Sequence, residues 1–123
     1  MFKNSINKAL IVMLFTSTCS TLLCWNNVIK NETDGQIVAT VIYAGAGICS
    51  PITRIIDQGQ EVTIDSGICC AERVTVRSTS GTLSGKEYTV NPPRAGINMT
   101  CAHFKVRVYE GVDGVLRAEA AIF

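Results

Sequence analysis

The 123-residue sequence has little net charge, one histidine and no long apolar run. Lysine and arginine total 11 and aspartate and glutamate total 10, so the net charge is +1. This balance excludes nucleic acid as a partner held by overall electrostatic attraction. A membrane-spanning helix needs about 20 apolar residues, and the unbroken apolar run at 9–15 is far shorter. We therefore expect no spanning segment in the mature chain.

Recognisable catalytic and metal-binding motifs are also missing. The sequence contains no G-x-S-x-G motif, no phosphate loop with its lysine and no calcium loop of alternating acids. His103 is the only histidine, so any Ser-His-Asp or Cys-His site must include it. We predict a protein that is not an enzyme and has no cofactor or metal. The alternative is a small secreted hydrolase that uses His103.

The N-terminal residues have the three parts of a secretory signal peptide. Lys3 and Lys8 precede the apolar run at 9–15, and small polar residues follow it. We predict a signal peptide over residues 1–20 and a secreted, periplasmic or cell-surface location. A surface lipoprotein or assembly subunit, with lipid on Cys19 or Cys24, is the alternative.

After the signal peptide, the sequence predicts a flexible N-terminal segment at 21–35 and one domain at 36–123. Apolar residues in the domain recur with period two between glycine- and proline-containing turns. The predicted strands are 37–43, 61–65, 72–78, 87–91, 102–109 and 115–122. This pattern predicts an all-β fold, a small antiparallel β-sandwich of about seven short strands with immunoglobulin-like architecture. The likeness is one of architecture only, because Trp25 precedes the domain cysteines and Met99 stands where that family has tyrosine.

The last two predicted strands allow a sharper statement about their connection. A two-residue turn at Asp113-Gly114 would mix the apolar face of one strand with the polar face of the other. A three-residue loop over 112–114, with Gly114 left-handed, instead places Val108 opposite Ala118 and Arg107 opposite Glu119. We predict that loop and that register.

The domain cysteines are predicted to form disulfides, as is usual in exported proteins. They are Cys49, Cys69, Cys70 and Cys101, while Cys24 stands apart. A bond between the adjacent Cys69 and Cys70 is disfavoured by its strain. Each is therefore expected to bond one of the other two, and the sequence leaves the assignment open. A zinc site of Cys69, Cys70, Cys101 and His103 is the less favoured alternative, because the ligand spacing is a poor match.

The candidate binding residues form one polar row on the strand predicted at 102–109. They are His103, Lys105, Arg107 and Tyr109, and arginine and tyrosine are frequent at binding hot spots. The proline-containing loop at 91–96 is a second candidate contact. The sequence thus predicts a secreted, non-catalytic binding or structural interaction module that acts through loops or an edge strand. Its partner is expected to be a protein or a glycan, and strand-mediated self-association is compatible with the apolar face of the terminal strand.

Overall fold

The computed structural model describes residues 25–45, 48–93 and 99–123, which form eight strands. These are β1 (Asn26–Asn31), β2 (Ile37–Tyr43), β3 (Ile52–Ile56), β4 (Glu61–Asp65), β5 (Ala71–Ser78), β6 (Glu87–Val90), β7 (Phe104–Glu110) and β8 (Leu116–Ile122). Sheet 1 has the order β4-β1-β7-β8, and sheet 2 has the order β3-β2-β5-β6. The described ranges contain no helix, so none that could span a membrane. The fold is all-β and sandwich-like, as the strand pattern predicts.

Strand alternation places one face of each sheet in a common core. Sheet 1 contributes Ile29, Ile64, Phe104, Val106, Val108, Leu116 and Ala118, and sheet 2 contributes Ile37, Ala39, Val41, Tyr43, Ile56, Ala71, Val74 and Val76. Successive side chains of a strand point to opposite sides, so the intervening residues lie on the outer surfaces. This geometry leaves the outer surface of sheet 1 free to carry a row of charged side chains.

Three features of the fold differ from the sequence prediction. The segment at 21–35, predicted to be flexible, contains β1, which pairs with β4 on one side and β7 on the other. The β1–β7 pairing is parallel, so the sandwich is not purely antiparallel. The strand β3 was also not expected, which raises the number of strands to eight. The signal peptide predicted at 1–20 lies outside the described residues.

Polar side chains of β1 enter the core because each finds partners there. Tyr43 Oη donates a hydrogen bond to Asn27 Oδ1 across the two sheets, at 2.8 Å. Burial raises the pKa of Tyr43 to about 12, because the anion would lose its hydration. Among the described residues, every buried side-chain nitrogen and oxygen has a hydrogen-bond partner. Satisfied polar groups of this kind are compatible with a dry core.

Asn31 organises the crossover from β1 to β2. Its Nδ2 donates to the carbonyl oxygens of Gly35 (2.8 Å) and Ile56 (3.0 Å). Its Oδ1 accepts from the backbone N–H (2.9 Å) and the hydroxyl (2.7 Å) of Thr33. The side chain thus bonds the crossover loop to the end of β3. Asn31 begins an Asn-Glu-Thr glycosylation triplet, but its complete burial leaves the amide inaccessible in the folded protein.

The β7–β8 hairpin has the predicted register. Val108 pairs with Ala118, Arg107 with Glu119, and Phe104 with Ile122. Gly111 donates its N–H to the carbonyl oxygen of Val115 at 2.8 Å, which closes a three-residue loop. Gly114 has φ 77°, the left-handed conformation that glycine adopts without a Cβ clash. Both parts of the hairpin prediction are therefore confirmed.

Two disulfides connect the loops at one end of the strands. Cys49 bonds Cys69, and Cys70 bonds Cys101. The adjacent cysteines therefore bond different partners, which settles the assignment that the sequence leaves open. Disulfides persist in oxidising compartments, so the two bonds are consistent with an extracellular or similarly oxidising location.

Candidate functional site

The predicted binding residues lie along β7 on the outer surface of sheet 1. Lys105, Arg107 and Tyr109 alternate with the buried Val106 and Val108. His103 directly precedes β7, which begins at Phe104 rather than at residue 102. The structure therefore brings three of the four candidates together on one strand and places His103 at its end.

A row of charged side chains crosses all four strands of sheet 1. The register aligns Glu61 of β4, Lys30 of β1, Arg107 of β7 and Glu119 of β8. We call this row, together with Lys105 and Tyr109, the charged surface. Lys105 Nζ lies 3.0 Å from Glu61 Oε1 and so joins the row diagonally. Neighbouring side chains on a sheet face lie about 5 Å apart, so the two central cations, Lys30 and Arg107, are beside each other and each has a carboxylate on its other side.

Arg107 is the centre of the charged surface. Its Nε and Nη2 donate to the two carboxylate oxygens of Glu32, at 3.2 and 2.8 Å. Its Nη1 lies 3.8 Å from Glu119 Oε2 on the other side. The Arg107 guanidinium holds the pKa of the Glu32 carboxyl below its ordinary value, and Glu32 in turn raises the pKa of Arg107. Two-point bonding fixes the plane of the guanidinium, although half of the side chain remains exposed.

Tyr109 is held beside Arg107 by the carboxylate of Glu119. Its hydroxyl donates to Glu119 Oε1 at 2.7 Å, and this bond raises the pKa of Tyr109. The Arg107 guanidinium carbon lies 5.7 Å from the centre of the Tyr109 ring, within the range of a cation–π contact. The two side chains most suited to recognition are therefore fixed in position next to each other.

A shallow depression of about 430 Å³ lies beside these residues. It is lined by Lys105, Arg107, Glu119, Ala120 and Ala121. Ala121 pairs with Lys105 on the same outer face. Because its side chain is only a methyl group, it forms the base of the depression between longer charged side chains. The depression thus has a small apolar base and a rim that carries both signs of charge.

His103 is placed differently from a catalytic histidine. Its Nδ1 accepts a hydrogen bond from the backbone N–H of Asn26 at 2.9 Å, so the neutral ring carries its proton on Nε2. In a catalytic triad Nδ1 donates to a carboxylate and Nε2 accepts the proton of the nucleophile. The ring of His103 also contacts the rings of Trp25 and Phe123, at centroid distances of 5.6 and 6.0 Å. His103 therefore joins an aromatic cluster that anchors the start of β1.

The other candidates from the sequence have clear placements. The cysteine ligands of the zinc alternative are joined in disulfides, and the described ranges contain no group of His, Cys, Asp and Glu positioned for a metal ion. In the loop at 91–96, Pro92 is buried and Thr100 Oγ1 donates to the carbonyl oxygen of Pro93 at 2.7 Å. Residues 94–98 lie outside the described residues, as do Cys19 and Cys24.

The sequence did not point to Glu32, Lys30 or Ala121 as parts of the site. Glu32 and Lys30 fall in the segment predicted to be flexible, so their position beside β7 was not anticipated. The one signal present was the predicted Arg107–Glu119 pairing, which already placed a carboxylate next to the arginine. If the sequence had shown that β1 is a strand, Lys30 and the following Glu32 would have been expected beside β7 as well.

Comparisons with known proteins give information on the fold. No protein-family model matches the chain, and no curated protein matches it. The structure is similar to an NMR structure of a protein from Eubacterium rectale, with a TM-score of 0.55 and 11% sequence identity. The similarity covers 80% of this chain and 88% of that chain. At this level of identity the likeness shows a shared fold alone.

Proposed function

We propose that the chain is a secreted, non-catalytic interaction module with an immunoglobulin-like sandwich architecture. It binds a protein or glycan partner through the charged surface of sheet 1. The observation that carries the proposal is the fixed Arg107–Tyr109 pair, whose arginine lines the depression. Two disulfides support a location in an oxidising compartment.

The arrangement favours binding because the side chains are ordered before a partner arrives. Immobilising a long side chain costs free energy during association, and Glu32 already orients Arg107. The side chain of Lys105 is about half exposed, and its amine, which contacts Glu61, offers a donor at the same rim. A partner that presents carboxylate or hydroxyl groups above a small apolar contact suits this set of donors and acceptors.

The placement of His103 supports a function without catalysis. Its Nδ1 accepts a backbone hydrogen bond and its ring contacts two aromatic rings. Activation of a nucleophile requires a ring nitrogen with a free lone pair, and the Nδ1 lone pair is already engaged by the Asn26 N–H. The hydrolase alternative therefore gains no support from this geometry.

The proposal can be tested by site-specific photo-cross-linking in the cell that produces the protein. A cross-linker replaces Ala121 in the depression, and a matched control replaces Thr75 on the outer surface of sheet 2. We expect an adduct from position 121 that is lost in Arg107→Ala and Tyr109→Ala variants. Exposed ion pairs stabilise a fold by about 0–1 kcal/mol, so both variants should remain folded, which thermal unfolding checks. If both positions give the same adducts, or if the variants do not change the adducts, the charged surface is not the binding site.

A glycan array identifies which class of partner is bound. Wild-type protein and the Arg107→Ala variant are applied to the same array. Glycan signals that fall at least tenfold in the variant assign a glycan partner to this surface. If the signals are equal in the two proteins, any glycan binding takes place outside the charged surface.

A further inference from the structure

Exposed apolar side chains are concentrated at the end of the sandwich that holds the two disulfides. β1, β3, β5 and β7 begin at this end, and β2, β4, β6 and β8 finish there. Ile48 and Ile68, in the loops of this end, are 85% and 70% exposed. Ile122 and Phe123, at the end of β8, are exposed as well. Large exposed apolar patches of soluble proteins commonly mark contact sites.

The Cys49–Cys69 disulfide brings two of these isoleucines together. Each isoleucine directly precedes one of the bonded cysteines, Ile48 before Cys49 and Ile68 before Cys69. The Cα atoms of the two cysteines lie 6.0 Å apart. Both isoleucines line a shallow depression of about 240 Å³, whose other lining residues are Ala44, Gly45, Met99 and the cysteines 49, 69 and 70. The two side chains therefore form one apolar projection.

A row of aromatic rings continues this projection across the end of sheet 1. The backbone N–H of Trp25 donates to the carbonyl oxygen of Gly67 at 3.0 Å, directly beside Ile68 in the chain. The ring of Trp25 contacts the ring of His103, which in turn contacts the ring of Phe123. The side chains form one continuous surface, which we call the apolar end and define as Ile48, Ile68, Trp25 and Phe123.

The loops at the two ends of the strands differ in charge. The loops beside the apolar end contain no Asp, Glu, Lys or Arg in their described residues, which are 44–45, 48–51, 66–70, 91–93 and 99–103. The loops at the opposite end contain four acids and one base, which are Glu32, Asp34, Asp57, Asp113 and Lys86. Charged groups lose hydration when they enter a lipid interface, and this loss is costly. The apolar end is therefore the end suited to contact with lipid.

The position of Trp25 also points to a lipid surface. The chain before Trp25 is 24 residues long and enters the domain at the apolar end. Cys24, one of the two residues that the lipoprotein alternative would acylate, directly precedes Trp25. An acyl chain at this place would bring the apolar end to the bilayer, and a single acyl chain needs a second contact for stable attachment. Tryptophan itself favours the boundary between lipid and water, because it has an apolar ring and an N–H donor.

We propose that the apolar end docks on the surface of a lipid bilayer. Ile48, Ile68 and Phe123 enter the interface, and Trp25 lies at its boundary with water. The strands then point away from the membrane, and the charged surface of sheet 1 faces sideways into solvent, where a partner can reach it. Docking uses other residues than the proposed binding function, so each proposal can fail without the other. Vesicle binding tests this one, and cross-linking tests that one.

Fluorescence of the full chain with phosphatidylcholine vesicles tests the docking. Trp25 is the only tryptophan, so its emission reports on the apolar end alone. We expect the emission to shift to shorter wavelength when vesicles are added, and to be quenched by lipids with brominated acyl chains. Because the described loops of this end carry no charge, the partition coefficient should change less than about twofold between about 0.1 and 1 M salt. A steep loss of binding with salt would instead assign it to the charged surface and overturn the proposal.

Serine variants test which side chains enter the lipid. Ile48→Ser and Ile68→Ser should each lower the partition coefficient about tenfold, as expected when a buried isoleucine is lost. Ile55→Ser is the matched control, because Ile55 is 66% exposed on the outer surface of sheet 2, and it should leave the coefficient unchanged. All three side chains are exposed, so the variants should stay folded, which thermal unfolding checks.

The other possible occupants of the apolar end give different results. Equal vesicle binding by the wild type and both variants would overturn the proposal, because the apolar run at 9–15 or another surface would then hold the protein. Absence of binding to the vesicles would overturn it as well. If sedimentation equilibrium then shows self-association that Ile48→Ser abolishes, the apolar end contacts a second copy of the chain instead.

Discussion

The Asn31 side chain provides the most direct test of how β1 is held in the core. Replacement by alanine removes four hydrogen bonds that connect β1, the crossover loop and β3. Gly35 retains its bond from the Thr33 hydroxyl, at 3.0 Å. The Thr33 N–H and one acceptor position of the Ile56 carbonyl lose their partner in a region from which water is excluded.

The expected cost follows from these two groups. A buried polar group without a partner costs about 1–3 kcal/mol, so Asn31→Ala should lower the free energy of unfolding by about 2–6 kcal/mol. A domain of this size is stable by about 5–15 kcal/mol, and the loss is therefore a large fraction of the total. Asn31→Asp should cost more at neutral pH, because a carboxylate would face the carbonyl oxygens of Gly35 and Ile56.

Urea denaturation at several pH values, with the disulfides intact, measures both variants. Burial beside carbonyl oxygens raises the pKa of the introduced aspartate, so the Asp variant should gain stability relative to wild type as the pH falls and the carboxyl becomes protonated. Asn26→Ala is the matched control on the same strand, with its side chain on the outer face, and should change stability by less than about 0.5 kcal/mol. An Asn31→Ala protein as stable as the control would refute the role assigned to this network.

Two further predictions concern the core and the disulfides. Tyr43→Phe should cost about 1–3 kcal/mol, because it leaves Asn27 Oδ1 without its donor. The pKa of Tyr43 is raised to about 12 in the folded protein from about 10 in the unfolded chain, so the wild type should lose stability as the pH rises through this range. The variant should lack that loss, which denaturation between pH 9 and 12 measures. Replacing Cys70 and Cys101 by serine opens a 31-residue loop and should cost about 3.7 kcal/mol in the chain-entropy model. The loss is measured as a lower melting temperature than wild type, and an unchanged melting temperature would contradict it.

The parts of the fold that the sequence predicts are those where burial follows period-two alternation. β2 and β4 have the predicted bounds because their apolar residues alternate or fill both faces between clear turns. The β7–β8 register was predictable because a shift by one residue would place Glu119 against the core. In these segments hydrophobic pattern and turn geometry agree.

The strands missed by the sequence have polar residues at inward positions. β1 directs Asn27 and Asn31 into the core, and only their hydrogen bonds to distant residues make this favourable. β3 has Arg54 between Ile52 and Ile56 on its inward side, which breaks the alternation. Such partners are created by the tertiary fold, so local patterns do not reveal them.

The candidate site was predictable only in part for the same reason. The row of Lys105, Arg107 and Tyr109 follows from the alternation of β7. Its acidic partner Glu32 comes from the unrecognised β1 crossover, and the packing of His103 depends on Trp25 in that same region. Trp25 stands in the segment that was expected to be flexible, and no packing partner for it could be read from the sequence.

The central position of β1 has a consequence for the order of folding. Its partner β7 lies far away in sequence, as shown by the bond between Asn26 and His103, which are separated by 77 residues. Contacts of high sequence separation form late because a long loop must first close. During synthesis from the N-terminus, β1 emerges before the other described strands and must wait for nearly the whole domain before its parallel partner is present. Sheet 1 therefore cannot form strand by strand in the order of synthesis, and β1 must stay free of other pairings until β7 is present.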